Sequence, residues 1–153
     1  MFNSSHDTYL ESRVLSADPL ELVRLLYQGA MGAVQDARNH LAQGRIMERS
    51  RSISQACGIL IELTASLDFE RGGELARRLA ALYDYMQKRL LEANLQQADA
   101  PLSEVSSLLS TLSEGWEGIS KAGEPAAAAA SAWSEPVAPQ EPETSYSRAS
   151  WSF

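Results

Sequence analysis

The strongest structural signal in the chain is DPLELVRLLYQGAMGAVQDARNHLAQG, residues 18–44. The segment begins as helices typically do, with the acidic Asp18, then Pro19 at the first helical position and Glu21 in the first turn. Gly44 follows as a typical helix stop. Between these ends, apolar residues recur at alternating spacings of three and four: Leu20, Val23, Tyr27, Ala30, Val34, Ala37 and Leu41. The segment therefore predicts one long amphipathic helix.

Three further amphipathic segments follow before the composition changes. The second repeats apolar residues at intervals of seven: Ile46, Ile53, Leu60 and Leu67. The third carries the stripe Leu75, Leu79, Leu82, Met86, Leu90 and Ala93. The fourth opens at Pro101 and carries Leu102, Val105, Leu109, Leu112, Trp116 and Ile119. We expect Gly72-Gly73 to mark the connection between the second and third helices. Short connections favour antiparallel neighbours, so we predict an all-α, up-and-down four-helix bundle over residues 18–123.

The two ends of the chain differ from this central region. Residues 1–17 are predicted to form an N-terminal arm whose apolar residues either pack on the bundle or cap a groove. At the other end, Ala, Ser, Pro and Glu make up 22 of the 30 residues 124–153. Such a composition cannot bury enough apolar surface to offset its ordering entropy, so we predict a disordered tail. Trp133, Trp151 and Phe153 are too sparse to suggest a core there.

Charge and composition exclude several classes of protein. The 153 residues include 20 acidic and 13 basic side chains, a net charge of −7, which argues against nucleic-acid binding. No apolar run approaches the roughly 18 residues needed to span a bilayer, so we expect no membrane insertion. The N-terminus lacks the build of a secretory signal, and a single cysteine, Cys57, suits a reducing compartment. These features predict a cytoplasmic protein.

The reactive side chains also argue against catalysis. The chain has two histidines, and the positions three residues before them, Asn3 and Ala37, cannot supply the Glu-x-x-His pairs of di-iron bundles. Cys57 lies on an apolar stripe and is expected to be a small buried hydrophobe. The basic residues near Arg45, Arg49 and Arg51 alternate with acidic ones, as on a solvated helix face. We therefore predict no enzyme activity, no metal and no cofactor.

Small and aromatic residues point instead to binding. Gly29 and Gly32 lie in the middle of the first helix, where each costs about 1 kcal/mol relative to Ala. That cost implies a close backbone approach, by a neighbouring helix or by a bound one. Tyr83 and Tyr85 point roughly 200° apart on the third helix, so at least one should be exposed. An exposed Tyr is a favoured anchor in binding surfaces.

The chain resembles the flagellar export chaperone FliS family over about residues 5–120. The longest matching stretch runs from Leu67 to Ala76, LDFERGGELA, which no bias of composition would produce. Helix four matches loosely, through its leucines and Trp116. The other matching stretches are Tyr9–Val14, Ser16–Pro19 with Glu21-Leu22, Leu26–Ala30, Leu82–Met86, Arg89-Leu90 and Glu92–Asn94. The chain departs from the pattern at Gln28, where the family usually has Asp, and in the tail 124–153, which lies outside it.

The resemblance implies an antiparallel helical bundle that binds the disordered C-terminal segment of flagellin. In the family that segment wraps around the chaperone and gains helix, which prevents premature polymerisation and assists flagellar type III export. The resemblance further suggests that the N-terminal arm covers part of the groove in the free protein, and it points to flagellar export gate components as additional partners.

These considerations give one set of predicted partner-binding residues: Tyr9, Leu10, Val14, Tyr27, Gly29, Leu79, Leu82, Tyr83, Met86, Arg89, Leu90 and Asn94. Two other functions remain open at this point. One is a helical-bundle adaptor for another flagellar or regulatory protein. The other is a small-molecule enzyme built in the bundle core, for which the sequence lacks a cluster of titratable residues.

Overall fold

The computed structural model describes residues 19–122 and Trp133. Within them the chain forms four helices: α1 (Pro19–Ala42), α2 (Ile46–Ala65), α3 (Phe69–Gln96) and α4 (Asp99–Ala122). Helix α1 packs against α2 and α4, and α3 packs against the same two neighbours. Connections of two or three residues make consecutive helices antiparallel. The predicted all-α four-helix bundle is confirmed. The N-terminal arm, residues 1–17, and the tail apart from Trp133 lie outside the described residues.

Helix α1 forms as its sequence predicts. Pro19 is its first residue, where a missing backbone N–H costs nothing. Glu21 in the first turn pairs with Arg24 across 2.6 Å. The helix ends at Ala42, and Gly44 adopts the left-handed conformation with φ +71°, which only glycine adopts at little cost. The backbone N–H of Arg45 then donates to the carbonyl of His40 at 2.9 Å, which closes the turn into α2.

The connection between α2 and α3 differs from the prediction. Gly72-Gly73 does not lie between the helices, because α2 ends at Ala65 and α3 already begins at Phe69. Asp68 caps α3, since its carboxylate accepts the backbone N–H groups of Glu70 and Arg71 at 3.1 and 3.0 Å. Gly73 interrupts the helix one turn later, with φ +53° and ψ −128°. The glycine pair therefore kinks α3 after its first turn and does not form the connection from α2.

One apolar core runs along the bundle axis. Most residues of the predicted stripes are buried or partly buried in this core, but Ile46 is 56% exposed and Leu75 is 41% exposed. The largest fully buried side chains are Trp133, Tyr27, Tyr83, Ile53, Leu60, Leu63, Met86, Leu90, Leu102, Leu109, Val23 and Val34. The presence of Trp133 among them contradicts the expectation that this residue takes no part in a core.

Candidate functional site

A hydrogen-bonded chain of aromatic side chains crosses the core. The hydroxyl oxygens of Tyr27 on α1 and Tyr83 on α3 lie 2.5 Å apart. The indole Nε1–H of Trp116 on α4 donates to the Tyr27 hydroxyl at 2.9 Å. Burial raises the pKa of Tyr27 and that of Tyr83, so both phenols stay protonated at neutral pH. The three side chains therefore link α1, α3 and α4 through neutral hydrogen bonds.

The ring of Trp133 packs against two of these aromatic side chains, Tyr83 and Trp116. Its ring centroid lies 6.3 Å from that of Tyr83, and 5.8 Å from that of Trp116 in an edge-to-face arrangement. Its backbone forms an isolated antiparallel bridge with Leu67, at the end of the α2 region. Only 2% of Trp133 is exposed. Leu67, Tyr83 and Trp116 thus form a pocket, here called the tail pocket, and Trp133 fills it.

The indole N–H of Trp133 has no hydrogen-bond partner among the described residues, unlike the polar groups of Tyr27, Tyr83 and Trp116. Buried tryptophan N–H groups usually find a partner, because an unpaired buried donor costs about 1–3 kcal/mol. The tail pocket therefore suits the apolar body of an aromatic ring better than it suits a tryptophan.

A second feature, an open groove, lies between α1 and α2. Its volume is about 620 Å³, and Leu22, Leu25, Leu26, Gln55, Gly58, Ile59, Glu62 and Ser66 line it. The leucines lie beside the core stripe of α1 and are only half-buried. Gly58 leaves room above α2, since a Cβ built there would meet no atom within 4 Å. This groove was not predicted from the sequence, although the leucines beside the stripe in LELVRLL, residues 20–26, could have indicated it.

A bundle neighbour approaches closely at Gly29 but not at Gly32, where approach by a bound helix stays a prediction. A Cβ at Gly29 would lie 3.3 Å from Ile59 Cδ1, so the small residue lets α2 come near. A Cβ at Gly32 would meet nothing within 4 Å. Gly29 therefore allows close packing of α1 against α2, the two helices that form the groove.

Polar side chains join α3 to α4 at the surface. Tyr85 donates its hydroxyl hydrogen to Glu104 Oε2 at 2.6 Å, and Arg89 Nε donates to Glu104 Oε1 at 2.6 Å. Arg89 also pairs with Glu92 across 2.6 Å. The hydrogen bond from Tyr85, followed by that from Arg89, lowers the pKa of Glu104. Tyr85 is 42% exposed and Tyr83 is fully buried, which confirms that one of the two tyrosines is exposed.

The predicted partner-binding residues fall into three groups. Five are buried in the core, where a partner reaches them only if a covering group moves: Tyr27, Leu79, Tyr83, Met86 and Leu90. Gly29 is exposed, and Leu82, Arg89 and Asn94 are half-buried. Tyr9, Leu10 and Val14 lie outside the described residues. The structure brings Tyr27 and Tyr83 into direct contact, and Arg89 and Asn94 already have partners within the bundle.

Arg49 was predicted to lie on a solvated face, and that prediction is wrong. Only 4% of Arg49 is exposed, because its guanidinium reaches α3. Its Nε donates to the side-chain oxygen of Asn94 at 2.9 Å, and Ser50 donates to the same oxygen at 3.3 Å. Asn94 therefore satisfies a buried cation and ties the start of α2 to the end of α3.

The reactive groups carry no sign of catalysis. Burial raises the pKa of the half-buried Cys57 thiol, which disfavours the nucleophilic thiolate. No group of three or more His, Cys, Asp or Glu residues in the described part of the chain is placed to hold a metal ion. None of α1 to α4 has the apolar character that a bilayer-spanning helix needs, as far as the described residues show.

Comparison with known proteins assigns the chain to a protein family. The sequence model of the family described as "Flagellar protein FliS" matches residues 1–123, which is most of the chain. The chain belongs to the FliS family. It is 44% identical over 112 residues to the flagellar secretion chaperone FliS of Salmonella typhimurium, covering 72% of this chain and 83% of that protein. It is 43% identical over 111 residues to the flagellar secretion chaperone FliSB of Pseudomonas aeruginosa, covering 72% and 88%. The Bacillus subtilis FliS is 28% identical over 112 residues, covering 73% and 83%.

Membership of the FliS family defines the general activity. The relatives are named flagellar secretion chaperones, so this FliS protein is a flagellar export chaperone. The family is one of chaperones, which confirms the prediction that the chain is not an enzyme. The family match ends at residue 123, so Trp133 lies beyond it.

Proposed function

We propose that this FliS protein is a cytoplasmic chaperone for flagellin. It binds the disordered C-terminal segment of flagellin, prevents premature polymerisation and assists flagellar type III export. The observation that carries the proposal is the open apolar groove between α1 and α2 on a bundle of the FliS family. Such a groove suits the apolar face of an amphipathic helix, which docks through residues spaced three and four apart.

The groove has the chemistry that a segment folding on contact requires. Leu22, Leu25, Leu26 and Ile59 supply apolar surface, whereas Gln55 and Glu62 are exposed polar side chains along the same groove. The disordered segment pays its ordering entropy when it binds, and burial of its apolar residues in the groove offsets that cost. The same burial hides the residues through which flagellin subunits would associate, which is how binding prevents polymerisation.

We also propose flagellar export gate components as secondary partners of this protein. We also propose that the residues predicted from the sequence bind the partner, in two groups that differ in accessibility. Exposed or half-buried residues such as Leu82 are available to a partner directly. Buried residues such as Tyr83 become available only after a covering group leaves.

Titration of the full-length protein with the flagellin C-terminal segment tests this function. We expect Leu25→Glu, which places a charge in the groove, to weaken binding at least about tenfold, equivalent to about 1.4 kcal/mol. The matched control is Ile61→Glu on α2, because Ile61 is 56% exposed and does not line the groove. It should bind within about threefold of the wild type, equivalent to about 0.7 kcal/mol. Circular dichroism of the free variants checks that both remain folded.

Absence of binding by the wild-type protein would reject flagellin as the substrate. Capture of a different flagellar or regulatory protein under the same conditions would then favour the adaptor function. Binding that both variants weaken equally would reject the groove as the docking site.

A further inference from the structure

The tail pocket is occupied by a residue from outside the family match. That match ends at residue 123, yet Trp133 is 2% exposed and packs on Tyr83 and Trp116. Eleven residue steps separate Ala122 from Trp133, and α4 ends at the same end of the antiparallel bundle as Leu67, so the chain is long enough for Trp133 to reach Leu67. Trp133 thus adds a large aromatic side chain to the core that the buried residues of α1 to α4 and Leu67 form in the described part of the chain.

The contact has the character of a bound ligand more than that of a core element. The indole N–H of Trp133 has no acceptor among the described residues, although nearly all buried polar groups in native cores are paired. The sequence of residues 124–153, with 22 of 30 residues Ala, Ser, Pro or Glu, is poor in large apolar side chains that could reinforce the contact of Trp133. One side chain and one backbone bridge carry the contact that the structure describes.

We propose that Trp133 is an intrachain competitor of the export substrate: it fills the tail pocket until a large apolar side chain of the substrate takes its place. This inference rests on the proposed flagellin-binding function. Tyr83, which the sequence predicted as a partner-binding residue, is 0% exposed while Trp133 covers it. Departure of Trp133 uncovers Tyr83, Trp116 and Leu67 together as one apolar surface.

Competition of this kind has two consequences. Without substrate, the tail keeps an aromatic surface covered that would otherwise favour aggregation. With substrate, the apparent affinity is lowered by the fraction of molecules in which Trp133 has left the pocket. If one molecule in ten is open, removal of the tryptophan side chain strengthens binding about tenfold.

The first test compares full-length variants in titrations with the flagellin C-terminal segment. We expect Trp133→Ala to bind about tenfold more tightly than the wild type. Trp133→Phe keeps one aromatic ring in the pocket and loses the five-membered ring with its unpaired N–H, so its affinity should lie closer to that of the wild type than to that of Trp133→Ala. Trp151→Ala, at the second tail tryptophan, is the matched control and should leave the affinity unchanged. Equal affinity of Trp133→Ala and the wild type overturns the proposal.

A second measurement on the wild-type protein guards against loss of stability in Trp133→Ala. In a nitrogen-15 NMR spectrum, the indole N–H signal of Trp133 is the one that Trp133→Phe lacks. We expect this N–H to exchange with water about tenfold more slowly in the free protein, where nine molecules in ten bury it, than in the saturated complex. Equally slow exchange in the complex overturns the proposal, while the function itself stands. Failure of the segment to bind the wild type and Trp133→Ala alike rejects the function and this inference together.

Discussion

Tyr27 and Tyr83 join the two helices that face each other across the diagonal of the bundle. Their hydroxyl oxygens lie 2.5 Å apart, and both side chains are fully buried. Helices α1 and α3 otherwise pack mainly against α2 and α4, so this contact fixes their relative position through the core. The hydroxyl of Tyr27 also accepts the indole N–H of Trp116, which makes Tyr27 the shared partner of the two other groups.

The two tyrosines should therefore differ in their contribution to stability. Tyr27→Phe leaves both the Tyr83 hydroxyl and the Trp116 N–H without a partner, whereas Tyr83→Phe leaves the Trp116 bond intact. Because each unpaired buried polar group costs about 1–3 kcal/mol, we expect Tyr27→Phe to be more destabilising by at least about 1 kcal/mol. Urea unfolding measures the difference. Equal free energies of unfolding for the two variants would show that Trp116 does not depend on Tyr27.

Asn94 should prove important for stability through Arg49. Asn94→Ala removes the side-chain acceptor of a buried guanidinium and leaves it the longer bond to the backbone carbonyl of residue 94, and hydrogen bonds to charged groups contribute about 1.5–3 kcal/mol. In an Arg49→Met background the same change should cost much less, because no buried cation is left unpaired. A double-mutant cycle by urea unfolding measures this coupling. A cost that is the same in both backgrounds would separate Asn94 from Arg49 and leave a role in partner binding as the better explanation.

Gly73 and Gly32 should respond in opposite directions to alanine. Gly73 has φ +53°, where a Cβ is strained, so Gly73→Ala should destabilise the protein by about 1 kcal/mol or more. Gly32 lies inside α1 with no atom within 4 Å of a Cβ, so Gly32→Ala should stabilise by up to about 1 kcal/mol. Thermal unfolding of the two variants gives both signs. A stabilising Gly73→Ala would mean that α3 runs without a kink at this residue.

Glu104 should make stability depend on pH at the acidic end. The hydrogen bond from Tyr85, then that from Arg89, lowers its pKa below the ordinary value of 4.5. A carboxylate with a lowered folded-state pKa stabilises the fold above its unfolded-state pKa, and this contribution is lost as the pH falls through the folded-state value. The decrease in the thermal midpoint between pH 7 and pH 3 should therefore be larger in the wild type than in Glu104→Gln. A fall of the same size in both would exclude Glu104 as a source of the acid sensitivity.

The helices of this protein could be predicted from local sequence because their signals are local. Pro19, Gly44 and the apolar stripes act within one or two turns of their own positions. The failures arise where a residue's environment depends on distant parts of the chain. Arg49 resembles a surface residue among its neighbours, and only Asn94, 45 residues away, explains its burial. Trp133 lies in a segment whose composition predicts no core, and its pocket is built from α3, α4 and Leu67.

The candidate site was predictable in part for the same reason. The sequence indicated both Tyr27 and Tyr83 as partner-binding residues, and they do meet, but in the core, where neither is exposed. It missed the groove because Leu22 and Leu25 fall outside the regular stripe, and a groove needs a second helix to define its other wall. Which residues face a groove depends on how α1 and α2 pack, and periodicity along one helix does not contain that information.

Calorimetric titration with intact flagellin, and with flagellin lacking its C-terminal segment, tests the flagellin chaperone function most directly. We expect intact flagellin to bind with a clearly negative heat-capacity change, as when a folding segment buries on the order of 1,000–3,000 Å² of surface. Helical circular dichroism of the mixture should exceed the sum of the free components. The truncated flagellin should bind at least about thirtyfold more weakly, a loss of about 2 kcal/mol. If the truncated protein binds as tightly as the intact one, this FliS protein does not recognise the C-terminal segment and the proposed function is wrong.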